Sequence, residues 1–394
     1  MADRFQIGST SFRLPPTCTV KLSSDPESRS AVAEFVASSP EQTLYHFEPY
    51  FEHARREGAE CDLALVIQEG MPSFAIPLHL RPPATAVTGY SGVLFPPGSS
   101  ERILKRSIEA LAAFVAANGR IAFEVLQSVQ APAYENPARI AVAMRYLDEL
   151  GAATERIYSR VVALDPREGL PTTGSLDPEG GSLDSQLLEN ALLHLYDGDV
   201  RNQVRQALRN ELRIEYFSSA AANGTRAGYS LLQPLHDATW ARSGVSGHSL
   251  EYWLDLSSTI AAIPGAIDLV VVAMDTNGGA LAGVTCHLYR DRAIYWSSCS
   301  LPEAKANRAN PLCLHAAMTL CRAAGVRCFE IGRFRAGEPS AKERAVTQYK
   351  SQFGGALTPV VNFRTGFDRR TRLLLASGQL PRRAGSKLRR LLVH

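Results

Sequence analysis

The sequence of 394 residues predicts an α+β fold that consists of two copies of one domain in tandem. In each half, strands precede a helix and one further strand, and the hairpin of the second half is rich in Thr, Tyr and Val. Matching residues of the two halves lie a constant 206 residues apart: Asp62 and Asp268, Gly119 and Gly325, Glu124 and Glu330, and Tyr90 and Trp296. One offset that holds over several separate elements indicates a duplication.

The first half has recognisable boundaries, because turn and cap residues separate its apolar segments. The predicted elements are helices over 28–39 and 43–58, two strands over 62–80 around a Gly-Met-Pro turn, a strand over 86–95, a helix capped by Ser99 or Ser100 that ends at Gly119, and a strand over 121–126. The order is therefore strands, helix, strand.

The second half repeats this order after a long helical segment. Residues 186–217 have helical periodicity, and a hairpin is predicted over 283–300. Asn310 is the predicted N-cap of a helix over 311–324, since Pro311 suits the first helical position and Gly325 suits the end. A strand over 326–331 follows.

Segments rich in Gly and Pro place the domain boundaries. Residues 165–185 carry three Pro and four Gly without apolar periodicity, which is typical of a loop or linker. We therefore predict a first domain over 1–164, a linker over 165–185, a second domain over 186–363 that is the catalytic one, and a basic tail over 364–394.

Composition is that of a globular protein in a reducing compartment. The chain is 45% hydrophobic and 21% charged, and its seven cysteines contain no Cys-x-x-Cys pair. We expect no metal site, because His and Cys never cluster at ligand spacing. The N-terminus lacks the apolar core of a signal peptide, and no apolar run is long enough to cross a bilayer. These features predict a cytoplasmic protein without stable membrane insertion.

Basic residues are concentrated in two places, the tail and a helix. Arg201, Arg205, Arg209 and Arg213 are spaced four apart, which places them on one helix face. The stripe is either a solvated face or a clamp for a phosphate-bearing ligand. The basic tail is either a solvated helix or a contact for a polyanion such as nucleic acid or a membrane surface.

Three segments resemble the Fem-type branch of the GNAT acyltransferase superfamily, in which two GNAT domains are fused. The segment 201–214 is similar to the family's basic helix before a short strand. Residues 323–332 resemble its strand with the pattern Gly-x-x-x-Phe-acid-x-Gly, which Gly325 to Gly332 match, and residues 349–354 match its aromatic-Lys-x-x-Phe-Gly motif. The resemblance covers roughly residues 43–363 and implies transfer of an acyl or aminoacyl group to an amine.

The resemblance implies roles for particular side chains. Lys350 looks like the lysine that stabilises the oxyanion, with Tyr349 beside it, and Glu330 lies where it would orient or deprotonate the amine. Glu330 has a structural alternative as the salt-bridge partner of Arg333 or Arg327. The remaining candidate residues are His287 and His315 as bases or structural histidines, Arg308 and Asn310 for the donor, and Arg201, Arg205, Arg209, Arg333 and Trp296 for the substrate.

The donor stays open between acyl-CoA and aminoacyl-tRNA. The Gly-rich pyrophosphate loop of acyl-CoA enzymes has no counterpart, since residues 301–311 contain no glycine. This difference and the basic tail favour aminoacyl-tRNA, whereas acyl-CoA is the common donor of the superfamily. The expected acceptor is a small-molecule or nucleotide-linked amine, such as a precursor of the cell envelope, a polysaccharide or a secondary metabolite, and tRNA is a further expected partner.

Two other classes of function are compatible with the sequence. One is a protein without catalytic activity that uses a GNAT fold to bind a nucleotide-linked or polyanionic ligand. The other is a nucleic-acid-binding protein that relies on the basic tail, although no helix-turn-helix, zinc or aromatic RNA-binding pattern occurs.

Overall fold

The computed structural model describes residues 5–7, 10–12, 17–40, 42–81, 84–86, 93–96, 98–117, 122–126, 153–164, 180–220, 224–244, 246–335 and 341–366. The chain divides into two compact units, one of Met1–Ile157 with Pro359–His394 and one of Tyr158–Thr358. The chain enters the second unit within strand Ala153–Ala163 and leaves it within strand Ala356–Gly366. The predicted linker lies outside the described residues as far as 179.

The first unit contains a sheet covered by helices. Its described strands are Phe5–Ile7 (β1), Thr10–Phe12 (β2), Cys18–Leu22 (β3), Cys61–Gln68 (β4), Met71–Arg81 (β5), Ala84–Ala86 (β6) and Ala122–Leu126 (β7), and its described helices are Pro26–Ser38 (α1), Glu48–Arg56 (α2) and Glu101–Ala117 (α3). Strands β3 to β7 are neighbours in chain order, antiparallel except for the parallel pair β6–β7. Val32, Phe51 and Leu65 belong to its core.

The second unit is built around a larger sheet. Its strands are Ala153–Ala163 (β8), Gly181–Leu183 (β9), Arg213–Ser218 (β10), Ala266–Met274 (β11), Ala280–Tyr289 (β12), Arg292–Ser300 (β13), Cys328–Arg335 (β14) and Ala356–Gly366 (β15), and its helices are Ser185–Asn190 (α4), Gly198–Arg209 (α5), Gly224–Ser243 (α6), Leu250–Ala261 (α7), Ala304–Asn307 (α8), Ala309–Ala323 (α9) and Ala341–Ser351 (α10). Strands β8 and β15 belong to it only in part. The strand order is β8–β14–β13–β12–β11–β10–β9.

Helices cover both faces of the second unit's sheet. Helices α5 and α9 pack on one face, where Cys313, Met318 and Phe329 lie in a continuous apolar core. Helix α6 packs on the other face and comes so close to β12 that a Cβ at Gly283 would lie 2.0 Å from Leu232 Cδ2. A larger residue at this crossing would have to displace the Leu232 side chain.

The order of elements confirms the predicted repeat. Both units contain, in this order, a strand, two helices, three antiparallel strands, a helix and a strand parallel to the one before it. In the first unit these elements are β3, α1, α2, β4, β5, β6, α3 and β7. In the second unit they are β10, α6, α7, β11, β12, β13, α9 and β14. The offset of 206 residues places the last residue of α3 on the last residue of α9 and the first residue of β7 on the first residue of β14.

The single helix predicted over 186–217 is wrong. Leu192 has a left-handed φ of 49°, and Asp197 caps a new helix by accepting a bond from Val200 N, so the segment divides into α4, a short turn and α5. Arg213 opens strand β10, whose buried residues alternate, and it therefore leaves the predicted arginine stripe.

One further prediction is wrong at an element end, and another lies largely outside the described residues. Helix α9 begins at Ala309, and the residue before it, Arg308, has a left-handed φ of 58°, so Asn310 lies inside the first turn and is not the N-cap. The third strand predicted over 86–95 is described only as β6 and a bridge between Ala75 and Leu94, and residues 87–92 lie outside the described part.

Candidate active site

Strands β13 and β14 pair only where they begin. Residues 292–294 of β13 are in parallel register with 328–330 of β14. Beyond Ile294, β13 continues to Ser300 with described partners on β12, while β14 continues to Arg335 next to β8. The two parallel strands therefore separate after Glu330, and a gap opens in the middle of the second unit's sheet.

A β-bulge lies on β13 at the level where this gap opens. Tyr295 is opposite Cys286 and Ser297 is opposite Thr285, so that Trp296 is an extra residue without a counterpart on β12. Its indole stacks on the His287 ring, with centroids 4.6 Å apart and 28° between the planes. Bulges bend a strand and redirect its side chains, which explains why β13 turns away from β14 here.

The Lys350 ammonium reaches into the gap. Its Nζ lies 5.2 Å from the centroid of the Tyr295 ring on β13, and a Cβ at Gly332 on β14 would lie only 2.6 Å from it. Both contacts are just beyond the paired part of the two strands. Burial lowers the pKa of Lys350, and the negative charge of Glu330 partly opposes that shift.

The carboxyl group of Glu330 is buried and held by a serine from β8. Glu330 is 2% exposed, and Ser159 Oγ donates to its Oε1 at 2.6 Å. The same hydroxyl lies 3.0 Å from the carbonyl oxygen of Gly332. Arg327, offered above as a structural partner of Glu330, is instead bonded to Asp291.

The end of α10 is fixed by the chain's own backbone. Tyr349 packs against the Phe353 ring with centroids 5.4 Å apart, and burial raises its pKa. Gly354 has a left-handed φ of 77°, and a Cβ there would lie 2.3 Å from the carbonyl oxygen of Leu195. The backbone of Leu195 thus approaches Gly354 closely, and this contact positions the turn that follows Lys350.

Arg308 and Asn310 lie where α9 begins, at the end of the loop after β13. Arg308 Nε donates to Gln206 Oε1 at 3.2 Å and its Nη1 to the Lys305 carbonyl at 3.3 Å, while the Asn310 amide reaches Ser300 Oγ at 3.4 Å. Both side chains are partly buried. They hold the loop to α5 and β13, and the exposed cation of this loop is Lys305.

The arginine stripe of α5 consists of three residues. Arg205 and Arg209 are exposed and Arg201 is partly buried, while Val200, Val204 and Ala207 on the opposite side of the helix are buried against the core. Helix α5 packs against α9, which places the stripe and the start of α9 on the same side of the second unit.

Two predicted residues have side chains outside the described part of the structure. Arg333 lies on β14, three residues beyond the point where that strand leaves β13. Glu124 lies on β7 and pairs through its backbone with Ala86 of β6, which repeats the pairing of Glu330 with Ile294.

The two candidate histidines occupy different environments. His315 is fully buried, accepts a bond from Tyr196 OH at its Nδ1 (3.0 Å) and bonds through Nε2 to the Leu188 carbonyl (2.8 Å). Burial lowers its pKa to about 4. Neutral and bonded at both nitrogens, His315 is a structural residue.

His287 belongs to a buried row on the other face of the sheet. Directly across from it on β11 is Asp268, whose Oδ1 lies 3.8 Å from His287 Nε2. Tyr229 OH donates to Asp268 Oδ2 at 2.8 Å, and burial raises the pKa of Asp268 to about 6. In register, this row continues from Asp268 and His287 to Ile294 and Glu330, and it connects the start of β11 to the gap.

Sequence reasoning missed Ser159 and Asp268 as parts of this site. Ser159 was assigned to the first domain, and nothing in its neighbourhood marks it, because its role follows from the pairing of β8 with β14. Asp268 was used only to detect the repeat. The sequence did offer one indication of Asp268, a carboxylate at the beginning of a continuous Val-rich strand. Burying such a charge costs free energy, so an acid in a buried strand suggests a specific role.

Among the described residues, no group of three His, Cys, Asp or Glu side chains is arranged to hold a metal ion. Within the same residues, no helix combines the length and the apolar character that a membrane span requires.

Comparison with known proteins gives a family for the second unit and a fold for the chain. Residues 198–351 match the family model of the acetyltransferase (GNAT) domain. No curated protein sequence gives a significant match.

Solved structures match over almost the whole length. FemX has a TM-score of 0.57 at 14% identity, over 88% of this chain and 97% of its own. The C-terminal domain (DUF2156) of a protein from Agrobacterium fabrum assigned as a lysylphosphatidylglycerol synthetase has a TM-score of 0.54 at 12% identity, over 89% and 95%. L-PGS from Bacillus licheniformis has a TM-score of 0.52 at 11% identity, over 89% and 95%.

The matched domain contains β10 to β14, the gap, Glu330 and Lys350, and the repeat of elements accounts for the first unit as a second copy of the same fold. Residues 198–351 therefore form an acetyltransferase (GNAT) domain, and the chain as a whole has a fold similar to that of FemX.

Proposed function

We propose that the chain transfers an acyl or aminoacyl group to a primary amine in the gap between β13 and β14, with Lys350 as the catalytic cation. The position of the Lys350 ammonium between Tyr295 and Gly332 is the observation that carries this proposal. A fixed positive charge at the mouth of a gap in a sheet suits the oxyanion that develops on the reacting carbonyl.

The reaction needs a neutral amine, a polarised carbonyl and an acceptor for one proton. The amine nitrogen forms the new N–C bond, electrons move onto the carbonyl oxygen beside Lys350, and the C–S or C–O bond of the donor breaks. The proton that leaves the nitrogen passes through Glu330 to the departing sulfur or oxygen. Because Glu330 is buried, we infer that the amine approaches it through the gap.

For the donor, an aminoacyl ester of tRNA is our first candidate. The loop between β13 and α9 offers an exposed Lys305 and a bonded Arg308, and it lacks the glycines that bring backbone close to a pyrophosphate. The Agrobacterium relative is named for a product that carries a lysyl group, which is an aminoacyl group. Acyl-CoA is the second candidate, since the matching family model is that of an acetyltransferase domain.

The acceptor would be a small or nucleotide-linked amine, with its phosphates on the stripe formed by Arg201, Arg205 and Arg209. The reaction would take place in the cytoplasm, where charged tRNA and thiol-containing proteins coexist; six of the seven cysteines are buried in the cores.

The test is to incubate the purified chain separately with labelled acetyl-CoA and with a pool of charged tRNA, each with a library of amines. We expect label to pass from one donor into an amide with the wild-type chain and not with Lys350→Ala. Binding of a donor without turnover would instead support a binding protein without catalytic activity.

A further inference from the structure

The hydroxyl of Ser159 faces two acceptors and has one hydrogen to donate. Its Oγ lies 2.6 Å from Glu330 Oε1 and 3.0 Å from the Gly332 carbonyl oxygen. Ser159 is fully buried and Glu330 nearly so. In this closed environment, each hydrogen bond depends on where the single hydrogen points.

The two ionisation states of Glu330 use this hydroxyl in different ways. When Glu330 is ionised, the hydroxyl donates to Oε1, a charge-assisted bond that agrees with the short distance. When Glu330 is protonated, its own O–H can donate to Ser159 Oγ, and the hydroxyl then donates to the Gly332 carbonyl. Rotation about one C–O bond thus keeps the carboxyl group bonded in both states.

Ser159 also lies at the level of the sheet where β14 separates from β13. It reaches β14 from β8, on the edge opposite β13, and its two acceptors are the residues on either side of the point where β14 leaves β13. A serine within hydrogen-bond distance of both of them holds Glu330 against the backbone of β14 while the gap is open.

We propose that Ser159 is a positioning residue for the acyl transfer, which fixes the Glu330 carboxyl group and allows it to take up and release the proton of the amine. The expected effect of Ser159 on the rate of acyl transfer rests on the proposed function. Ser159 itself makes no bond to substrate, and the proton moves from nitrogen to Glu330 and onward to the leaving group.

The test compares Ser159→Ala, Ser159→Thr and a matched control, Ser107→Ala. Ser107 is also fully buried, and its hydroxyl bonds to that of Ser73 at 2.9 Å in the first unit, so the control removes a similar bond away from the site. Ser159→Ala should lower kcat about 10- to 100-fold with little change of KM, the range for a hydrogen bond to a charged group. Ser159→Thr should restore most of the activity, and Ser107→Ala should leave kcat unchanged.

A double-mutant cycle separates positioning from general damage. Glutamine at 330 cannot ionise, so Ser159→Ala should cost little more once Glu330→Gln is present, whereas Ser107→Ala should combine additively with Glu330→Gln. Equal losses from Ser159→Ala in both backgrounds would overturn the proposal.

A second measurement needs no substrate. The carboxyl carbon of Glu330, labelled with carbon-13 and assigned by its loss in Glu330→Gln, should shift in the NMR spectrum of Ser159→Ala and keep its position in Ser159→Thr and Ser107→Ala. An unchanged resonance in Ser159→Ala would refute the contact itself. A shifted resonance in a chain that transfers no acyl group would leave Ser159 as the partner of Glu330 and refute the proposed function.

Discussion

Lys350 Nζ lies 5.2 Å from the centroid of the Tyr295 ring, although the two residues come from a late helix and from a strand more than fifty positions earlier. The contact places an ammonium between two parallel strands just where they stop pairing. A cation over an aromatic face is attracted by the ring, and the ring also holds it away from bulk water.

Lys350→Ala should leave the fold intact and slow acyl transfer by at least about 100-fold, the scale for loss of one oxyanion-stabilising group. Lys350→Arg should restore little activity, because a planar guanidinium cannot place a compact charge in the same gap. The measurement is kcat with the donor from which the wild-type chain passes label to an amine, together with circular dichroism of each variant. A folded Lys350→Ala chain with near wild-type turnover would exclude Lys350 as the catalytic cation.

Glu330→Gln and Glu124→Gln form a matched pair, since the repeat gives each unit a glutamate at the same place on its parallel strand. Glu330→Gln should lower turnover, because an amide cannot accept the proton of the amine, while Glu124→Gln should leave turnover nearly unchanged. Steady-state kinetics and thermal unfolding of both variants provide the comparison. Equal effects of the two substitutions would mean that the acid serves the fold in both units.

The repeat could be predicted from the sequence because Asp, Gly and Glu recur in both halves at one spacing. Most elements of the second unit could be predicted as well, because residues such as Gly325 end a helix through their own local conformation. The division of 186–217 could not. Its break depends on a left-handed Leu192 and on the partners that β10 finds in β9 and β11, which are tertiary effects that override local periodicity.

The site was predictable only where a motif marks it. Lys350 and Glu330 were identified by the family resemblance, and the structure places both at the gap. Ser159 and Asp268 act through pairings between strands that are distant in sequence, and no local pattern encodes such a pairing.

Asp268 gives the second unit a distinct dependence on pH. Burial raises its pKa from an ordinary 3.8 to about 6, so the unfolded chain releases this proton at lower pH than the folded chain does. The contribution of Asp268 to stability is therefore present below about pH 4 and is lost as the pH rises through 6, by about 3 kcal/mol. Asp268→Asn cannot ionise and still offers an oxygen to Tyr229.

The measurement is the free energy of unfolding in urea between pH 4 and pH 8, followed by tryptophan fluorescence, since all three tryptophans lie in the second unit. Relative to wild type, Asp268→Asn should gain stability as the pH rises from 4 to 7. Burial lowers the pKa of His236 and His315 to about 4, so these two histidines destabilise the folded chain as the pH falls. Both are present in wild type and in Asp268→Asn, so their effect cancels in the difference of unfolding free energy. If the difference in unfolding free energy between the two proteins did not change with pH, the pKa of Asp268 would not be raised by folding.

Arg205 tests whether the stripe on α5 binds phosphate. If Arg201, Arg205 and Arg209 contact a phosphate-bearing ligand, Arg205→Gln should raise the apparent KM for that ligand and weaken the salt dependence of its binding, since fewer ion contacts form. Stability should change by less than about 1 kcal/mol, because Arg205 is exposed on a helix surface.

Arg226→Gln is the control, as Arg226 is an exposed arginine on α6, which covers the opposite face of the sheet. Titration of the ligand at two salt concentrations should distinguish Arg205→Gln from both wild type and Arg226→Gln, and parallel salt responses in all three proteins would identify the stripe as a solvated face.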